Sequence, residues 1–350
     1  MTPDTAAREW TPLVSVVMPV RNEARFIAEL VRTVLAQDYP PHLLEVIVAD
    51  GLSDDGTREI LAALAAEDRR LTVIDNPPRI VSTGLNVAVA AARGEVIIRI
   101  DGHAAIAPQF IRENVRVLAE HPEAWGVGGP IRHAATTPFG KAVAIAMSHR
   151  VGIGNAAHRY ANYEGYSDTA QFPAFRRWVF DRVGTFDVRL VRNQDDEFNY
   201  RITQAGGKIF ISPRVEYFYF VRECPAKLFT QYFQYGFWRI PVISKHRRPT
   251  TLRQVAPIAF YAVCGALAIV AAVIRQPLVG LALPAFYAAV LCAAGVTTVG
   301  QHALAVACRV PLAIATIHAG YAFGIAYGLW ANVFRSSAWD TGGPMATLTR

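Results

Sequence analysis

The patterned part of the chain opens on a short apolar run, residues 14–18, which reads as a buried strand that Pro19 ends. After Asn22 and Glu23 the period changes. Phe26, Ile27, Leu30, Val31, Val34 and Leu35 fall on one face of a helix predicted over 24–37. Residues 44–49 form a second strand, which gives way to Asp50-Gly51-Leu52-Ser53-Asp54-Asp55-Gly56-Thr57, and Thr57 opens another helix. A third strand over 71–74 ends at Asn76, and a helix over 81–92 leads into the β-branched run that stops at Asp101-Gly102-His103. This alternation predicts a parallel α/β sheet. It puts four polar strand ends, residues 19–23, 50–57, 76–79 and 101–103, on the rim where such sheets bind ligands. Farther on, Phe198, Ile202 and Ala205 repeat at helical spacing behind Asp195, Asp196 and Glu197, three acids where a helix N-terminus favours negative charge.

The last third has a different pattern. Three uncharged apolar runs, 255–274, 278–299 and 311–334, are each long enough to cross a hydrocarbon layer of about 30 Å. Residues 301–309 read either as a short amphipathic piece or as the start of the third crossing. Lys245, His246, Arg247, Arg248 and Arg253 precede the first run, the place of a cytoplasmic membrane flank, whereas Arg335 and Arg350 decide nothing about topology. Phe229, Tyr232, Phe233, Tyr235, Phe237 and Trp238 crowd together just before that group, as aromatics do at headgroup level. The expected organisation is an N-terminal tail 1–11, a catalytic domain 12–225, an aromatic and basic membrane-interface segment 226–253, about three transmembrane helices in 254–334, and a polar tail 335–350.

Charge and cysteine usage narrow the function. The 350 residues carry a formal net charge of +7. No basic block accompanies a nucleic-acid motif, so nucleic acid is not an expected partner. Cys224, Cys264, Cys292 and Cys308 have neither metal-site nor paired spacing and read as small apolar residues. The first dozen residues are polar and lead straight into strand one, which fits a cytoplasmic N-terminus.

The candidate chemistry lies on the rim. Asp101 and His103 offer an oxygen and a nitrogen to one cation, a donor pair suited to Mn²⁺ or Mg²⁺, with imidazole favouring Mn²⁺. Such a cation can hold a diphosphate; the plainer reading of these residues alone is a strand followed by a polar turn. The loop at 50–57 is not an EF-hand: with Gly56 at position 6, positions 1 and 12 are Gly51 and Ala62, which have no ligating side chain. No GxxxxGK[ST] and no GxGxxG at a strand-to-helix junction is present.

Together these segments resemble the family 2 glycosyltransferases of GT-A fold. Pro19, Asn22 and Glu23 match the P-x-x-N-E start, residues 50–57 match the D-G-x-S-x-D-G-T loop, and Asp101-Gly102-His103 stands at the D-x-D position. Residues 167–177, 183–187 and 192–201 are similar to the bacterial exopolysaccharide branch of succinoglycan chain-extending glucosyltransferases. The resemblance spans residues 12–245. It implies a Rossmann-like nucleotide-sugar-binding domain followed by an α-helical transmembrane region. It implies that Asp50 meets the nucleotide base, with Pro19, Glu23 and Asp54 beside it, and that Asp101 with His103 binds the metal. Arg79 either neutralises diphosphate charge or is a solvated surface arginine. Asp195 corresponds to the catalytic base of the inverting enzymes, with Gln194 in place of the usual Glu. Asp196 and Glu197 are candidates to orient the acceptor. Gln234 and Trp238 match two positions of a Q-x-x-R-W motif whose Arg is replaced by Phe237, and they are further acceptor candidates.

The function so implied is an inverting hexosyltransferase, multi-pass in a bacterial inner membrane with its catalytic domain cytoplasmic. It would move sugar from a nucleotide-sugar, UDP-linked by expectation, to a lipid-linked saccharide in exopolysaccharide or envelope glycan synthesis. A processive polysaccharide synthase, a polyprenyl-phosphate sugar synthase and a non-catalytic nucleotide-sugar-binding scaffold are the alternatives.

Overall fold

Contacts in the computed structural model, which describes residues 10–248, 251, 254–334 and 339, group the chain into two units. The first comprises Met1–Arg132, Tyr160–Val188 and Gln194–Tyr219; the second comprises His133–Arg159, Arg189–Asn193 and Phe220–Arg350. Residues 133–159, 189–193 and 220–225 of the expected block 12–225 group by contacts with the second unit. The tail at 335–350, all but Trp339, residues 1–9 of the N-terminal tail and Arg253 lie outside the described residues.

The first unit starts β1 (Val14–Val20), α1 (Ile27–Leu35), β2 (Leu44–Asp50), α2 (Thr57–Glu67), β3 (Leu71–Asp75), α3 (Val81–Ala91), β4 (Val96–Arg99), β5 (Ala105–Ile106), α4 (Phe110–Glu120) and β6 (Ala124–Gly129). The short strand β7 (Arg132–Ala134) and two helices, α5 (Pro138–Ala146) and α6 (Arg150–Ile153), come next. The unit resumes with β8 (Gly165–Ser167), β9 (Gln171–Arg176), α7 (Trp178–Val183), α8 (Gln194–Gln204), β10 (Lys208–Ile211) and β11 (Tyr217–Phe220).

The large sheet has the order β3-β2-β1-β4-β9-β6-β10-β8. Every residue of β1 and β2 is buried, because apolar side chains pack on both faces of the sheet. Val16, Met18 and Val46 join Ile27, Leu61 and Phe110 on one side. Val17, Ile47 and Ile97 join Leu85, Val179 and Phe198 on the other. The continuous apolar runs of the sequence are the signature of this double cover.

Three expectations need correction. The four strands read from the sequence, β3-β2-β1-β4, are mutually parallel as expected, but the sheet continues beyond them and is mixed: β9 runs antiparallel to both β4 and β6, and β8 antiparallel to β10. Glycines in β6 admit β9, since a Cβ on Gly126 would fall on the ring of Phe175. Pro19 does not end β1; it pairs in register with Ala49. Val17 accepts from Ile100 N–H on the β4 side, and by strand alternation Pro19 faces that same side. The β1–β4 register stops at Val17 and Arg99, so the missing proline N–H breaks no ladder bond. Finally, α1 begins at Ile27 rather than at residue 24. Asp55 accepts from Ala24 N–H and Thr57 Oγ1 from Glu23 N–H, which ties that segment to the neighbouring loop instead.

In the second unit α5 and α6 are joined by α9 (Pro225–Phe237), α10 (Arg239–His246), α11 (Ala256–Val273), α12 (Pro277–Val296), α13 (Leu304–Ala307) and α14 (Val310–Phe334). α11, α12 and α14 lie within three residues of the expected crossings, and each is long and apolar enough to span a membrane. Only Ala271 of α11 is buried; Phe260 and Tyr261 are half-buried against Tyr287 and Phe323, and most of the other side chains are exposed. α14 instead lies against α9. A Cβ on Gly320 would come within 2.7 Å of Phe229 O, one on Gly328 within 2.8 Å of Ile240 Cγ1, and one on Gly324 onto Phe233 O. Backbone meets backbone there, as small-xxx-small helix pairs allow. His318 on α14 meets Tyr287 Oη at 2.7 Å through Nδ1 and the Gly152 carbonyl at 3.0 Å through Nε2, so one neutral tautomer satisfies both contacts.

Candidate active site

The parallel strands bring their polar ends into line. Val20 is opposite Asp50, and Asp50 opposite Asp75. Just beyond the strands, non-glycine residues adopt left-handed backbone: Asn22 (φ 55°), Leu52 (φ 54°) and Arg79 (φ 63°), with Asn193 (φ 59°) just before α8. Such strain concentrates at functional loops.

Asp50 ends β2 and is fully buried. Its Oδ1 accepts from Ser53 Oγ at 2.5 Å, and its Oδ2 from Ser53 N at 3.1 Å and Arg58 Nη1 at 2.8 Å. Arg58, on the first turn of α2, also pairs with Asp75 at 2.9 Å. Asp54 is exposed and accepts from Asn22 Nδ2 at 2.9 Å. Asp55 makes the tighter loop contacts: burial works to raise its carboxyl pKa, but the hydrogen bonds it accepts from Thr57 Oγ1 at 2.5 Å, from Ala24 N and from Thr57 N at 3.1 Å together hold it below the usual carboxylate value. Pro19 is buried in β1, and Arg79 is exposed behind Asn76.

β4 ends at Arg99, so Asp101 and His103 lie in the turn beyond it. His103 Nδ1 is 2.9 Å from Oε1 of Glu23, a residue only 5% exposed. With the proton on Nδ1, Nε2 keeps its lone pair for a ligand, as when a carboxylate orients a metal-binding histidine. Gly102 leaves space between them, since a Cβ there would come within 2.9 Å of Glu23 Cγ. Among the described residues no three His, Cys, Asp or Glu side chains form a complete metal cluster. Asp101 and His103 nevertheless bring a carboxylate and an imidazole, donors whose chemistry suits a divalent cation, to one turn.

Arg99, which sequence reasoning missed, joins the two halves of the chemistry. It is 8% exposed. Its Nε lies 2.9 Å from Asp101 Oδ1, its Nη2 3.2 Å from Asp101 Oδ2, and its Nη1 3.7 Å from Asp195 Oδ2. Asp195 sits in the first turn of α8, which is anchored by Phe198 stacking among Phe175, Phe180 and Phe186. Its side chain keeps 40% of its exposure, so solvent reaches it, although most of the volume around it is protein. That burial pushes its carboxyl pKa up; Arg99 opposes the shift, and the charges of Asp196 and Asp101 add to it.

The acceptor candidates separate. Asp196 accepts from Thr169 Oγ1 at 3.5 Å, and Thr169 in turn accepts from Asn199 Nδ2 at 2.6 Å. Glu197 is fully buried and bound by Arg201 at 3.0 Å. Gln234 accepts from Arg192 Nη2 at 3.0 Å, while Asn193 Nδ2 donates to the Tyr235 carbonyl at 3.0 Å. Trp238 has no exposed surface and packs on Phe237 and Trp339.

The model of glycosyl transferase family 2 matches residues 15–184. The chain is 35% identical over 249 residues to the succinoglycan biosynthesis protein ExoA of Rhizobium meliloti, a match covering 70% of this chain and 74% of that protein. It belongs to glycosyl transferase family 2. A Methanococcus voltae glycuronosyltransferase, a dolichyl N-acetylglucosaminyl phosphate 3-β-D-2,3-diacetamido-2,3-dideoxy-β-D-glucuronosyltransferase, is 24% identical, over 64% of this chain and 71% of that one. Among solved structures, the mannosyltransferase PcManGT of Pyrobaculum calidifontis, in complex with GDP-Man and Mn²⁺, superposes with a TM-score of 0.62 at 22% identity, covering 92% of this chain and 88% of that one. That likeness shows the GT-A fold. This family 2 glycosyltransferase thus has a GT-A unit and a C-terminal region of three helices apolar enough for a membrane.

Proposed function

We propose that this glycosyltransferase is an inverting enzyme that moves a sugar from a nucleotide-sugar to a lipid-linked saccharide acceptor. The observation that carries the reading is the closeness of Asp101 and Asp195 through one guanidinium, at 2.9 and 3.7 Å. A single displacement needs the leaving diphosphate and the proton acceptor on opposite sides of one sugar carbon, within a few ångströms of each other. Asp195 takes the proton from the acceptor hydroxyl as its oxygen attacks the anomeric carbon. The bond from that carbon to the diphosphate oxygen breaks, and the nucleoside diphosphate departs with the electron pair. Asp50, buried and held by Ser53 and Arg58, sets the 50–57 loop that would receive the donor's base, with Pro19 and Glu23 at the neighbouring strand end. Asp101 and His103 would hold a divalent cation, Mn²⁺ or Mg²⁺, which when bound would stabilise charge on the leaving diphosphate.

A lipid-linked acceptor is supported by the three apolar helices and by the Methanococcus relative, whose name places a dolichyl phosphate in its substrate. The exopolysaccharide context is supported by the succinoglycan relative. A cytoplasmic catalytic unit on the inner membrane matches the basic residues Lys245, Arg247 and Arg248 ahead of α11.

Asp195→Asn tests the reading. Transfer into a lipid fraction, measured with a panel of nucleotide-sugars, should fall about 10²- to 10⁴-fold, the range a general base supplies. Nucleotide binding should stay near wild type. Undiminished transfer by the variant would remove Asp195 as the base.

A further inference from the structure

Arg99 stands at the end of an otherwise apolar strand and is almost wholly buried. A guanidinium in such a place is tolerable only when carboxylates meet it. Two do, on different edges of its planar group. The Nε–Nη2 edge takes both oxygens of Asp101 in a fork, at 2.9 and 3.2 Å. The remaining Nη1 points at Asp195, at 3.7 Å, too long for a hydrogen bond and close enough for strong attraction. Both oxygens of Asp101 are thus engaged by Arg99, whereas His103 is already oriented by Glu23. A cation arriving with a diphosphate finds the imidazole in place, and must draw a carboxylate oxygen away from the guanidinium.

We propose that Arg99 is a positioning residue that hands Asp101 over to the donor's cation and, once released, closes on Asp195, so that loading of the donor and setting of the base are one event. The inference rests on the reading that Asp101 takes the cation and Asp195 the proton. Its physical content is competition: guanidinium and divalent cation share one carboxylate, and the released guanidinium has a second carboxylate within reach. Lysine cannot reproduce this, because an ammonium is a single point charge without a fork.

The test uses the full chain in detergent with Mn²⁺ as the probe. Free Mn²⁺ is read by electron paramagnetic resonance in the presence of UDP or GDP, and kcat and donor KM are measured separately. In Arg99→Met, Mn²⁺ affinity should rise roughly tenfold because the competing guanidinium is gone, and donor KM should fall with it by linkage, while kcat falls about 10- to 100-fold. Arg99→Lys should lie between Met and wild type on both scales. A merely structural arginine would lose metal binding and turnover together. Metal affinity that is unchanged or weaker in a folded Arg99→Met overturns the inference. If the Met variant does not fold, Arg99→Lys decides alone: tighter Mn²⁺ with slower turnover upholds the inference, and unchanged or weaker Mn²⁺ overturns it. A wild type that takes up no Mn²⁺ with either nucleotide overturns both the inference and the reading beneath it. A wild type that binds Mn²⁺, with variants in the wrong order, overturns the inference alone.

Discussion

As the proposed base, Asp195 would have to be ionised to accept a proton, yet burial and two neighbouring acids favour its neutral form. Its pKa lies above the ordinary aspartate value, so turnover should fall as pH drops through a point higher than about 3.9. A kcat–pH profile checks this, and an acid limb at or below that value would contradict the burial argument. The acids themselves were legible in the chain, because Asp50, Asp101 and Asp195 sit in motifs at strand or helix ends. The arginines that hold them were not. Arg58 lies eight residues past Asp50, in what reads as a solvent-facing helix turn. Arg99 and Asp195 are far apart in sequence, and no periodicity connects them. One signal for Arg99 was present all the same: a charge inside an apolar, doubly covered strand has to be paired. The backbone strain at Asn22, Leu52 and Arg79 left no mark in residue type beyond asparagine's tolerance of that conformation.

Among the elements, strands and helices with strong periodicity emerged as read, and the misreadings came from pairing. β9 carries no marker of direction; its place between β4 and β6 depends on Phe175 finding space over Gly126, which only the folded sheet provides. Pro19 looked like a strand end because local rules cannot see that its ladder had already stopped on that side. The pairing of α9 with α14 was equally hidden. Gly320, Gly324 and Gly328 are four residues apart on α14, but nothing in that spacing names the partner helix. Gly324→Val should force α9 and α14 apart at Phe233 and lower thermal stability in detergent by about 1–3 kcal/mol, the usual cost of overpacking a close contact. Gly265, whose added Cβ meets nothing within 4 Å, is the control: Gly265→Ala should leave the melting temperature unchanged or slightly raised.

Across the whole molecule, charge is divided unequally. Of the 28 acidic residues all but Glu223 and Asp340 belong to the first unit, whereas nearly half of the 35 lysines and arginines belong to the second. The second unit should therefore favour an anionic leaflet, at about 1 kcal/mol per basic residue near the surface. In nanodiscs the protein should melt higher with phosphatidylglycerol than with phosphatidylcholine, and 0.5 M salt should shrink the difference. Equal melting in both lipids would refute it. The net charge of +7 concealed this division, since it averages an acidic sheet unit with a basic helical one. The close fit of α9 to α14 also has a bearing on how the protein is made. Some 70 residues separate the end of α9 from the start of α14, and at about 5–20 residues per second the ribosome takes several seconds to supply them. Through that interval α9 has its glycine-matched face ready and its partner still unmade, so a nascent chain released early, or truncated after residue 253, would carry a helix whose sticky face has nothing to cover it.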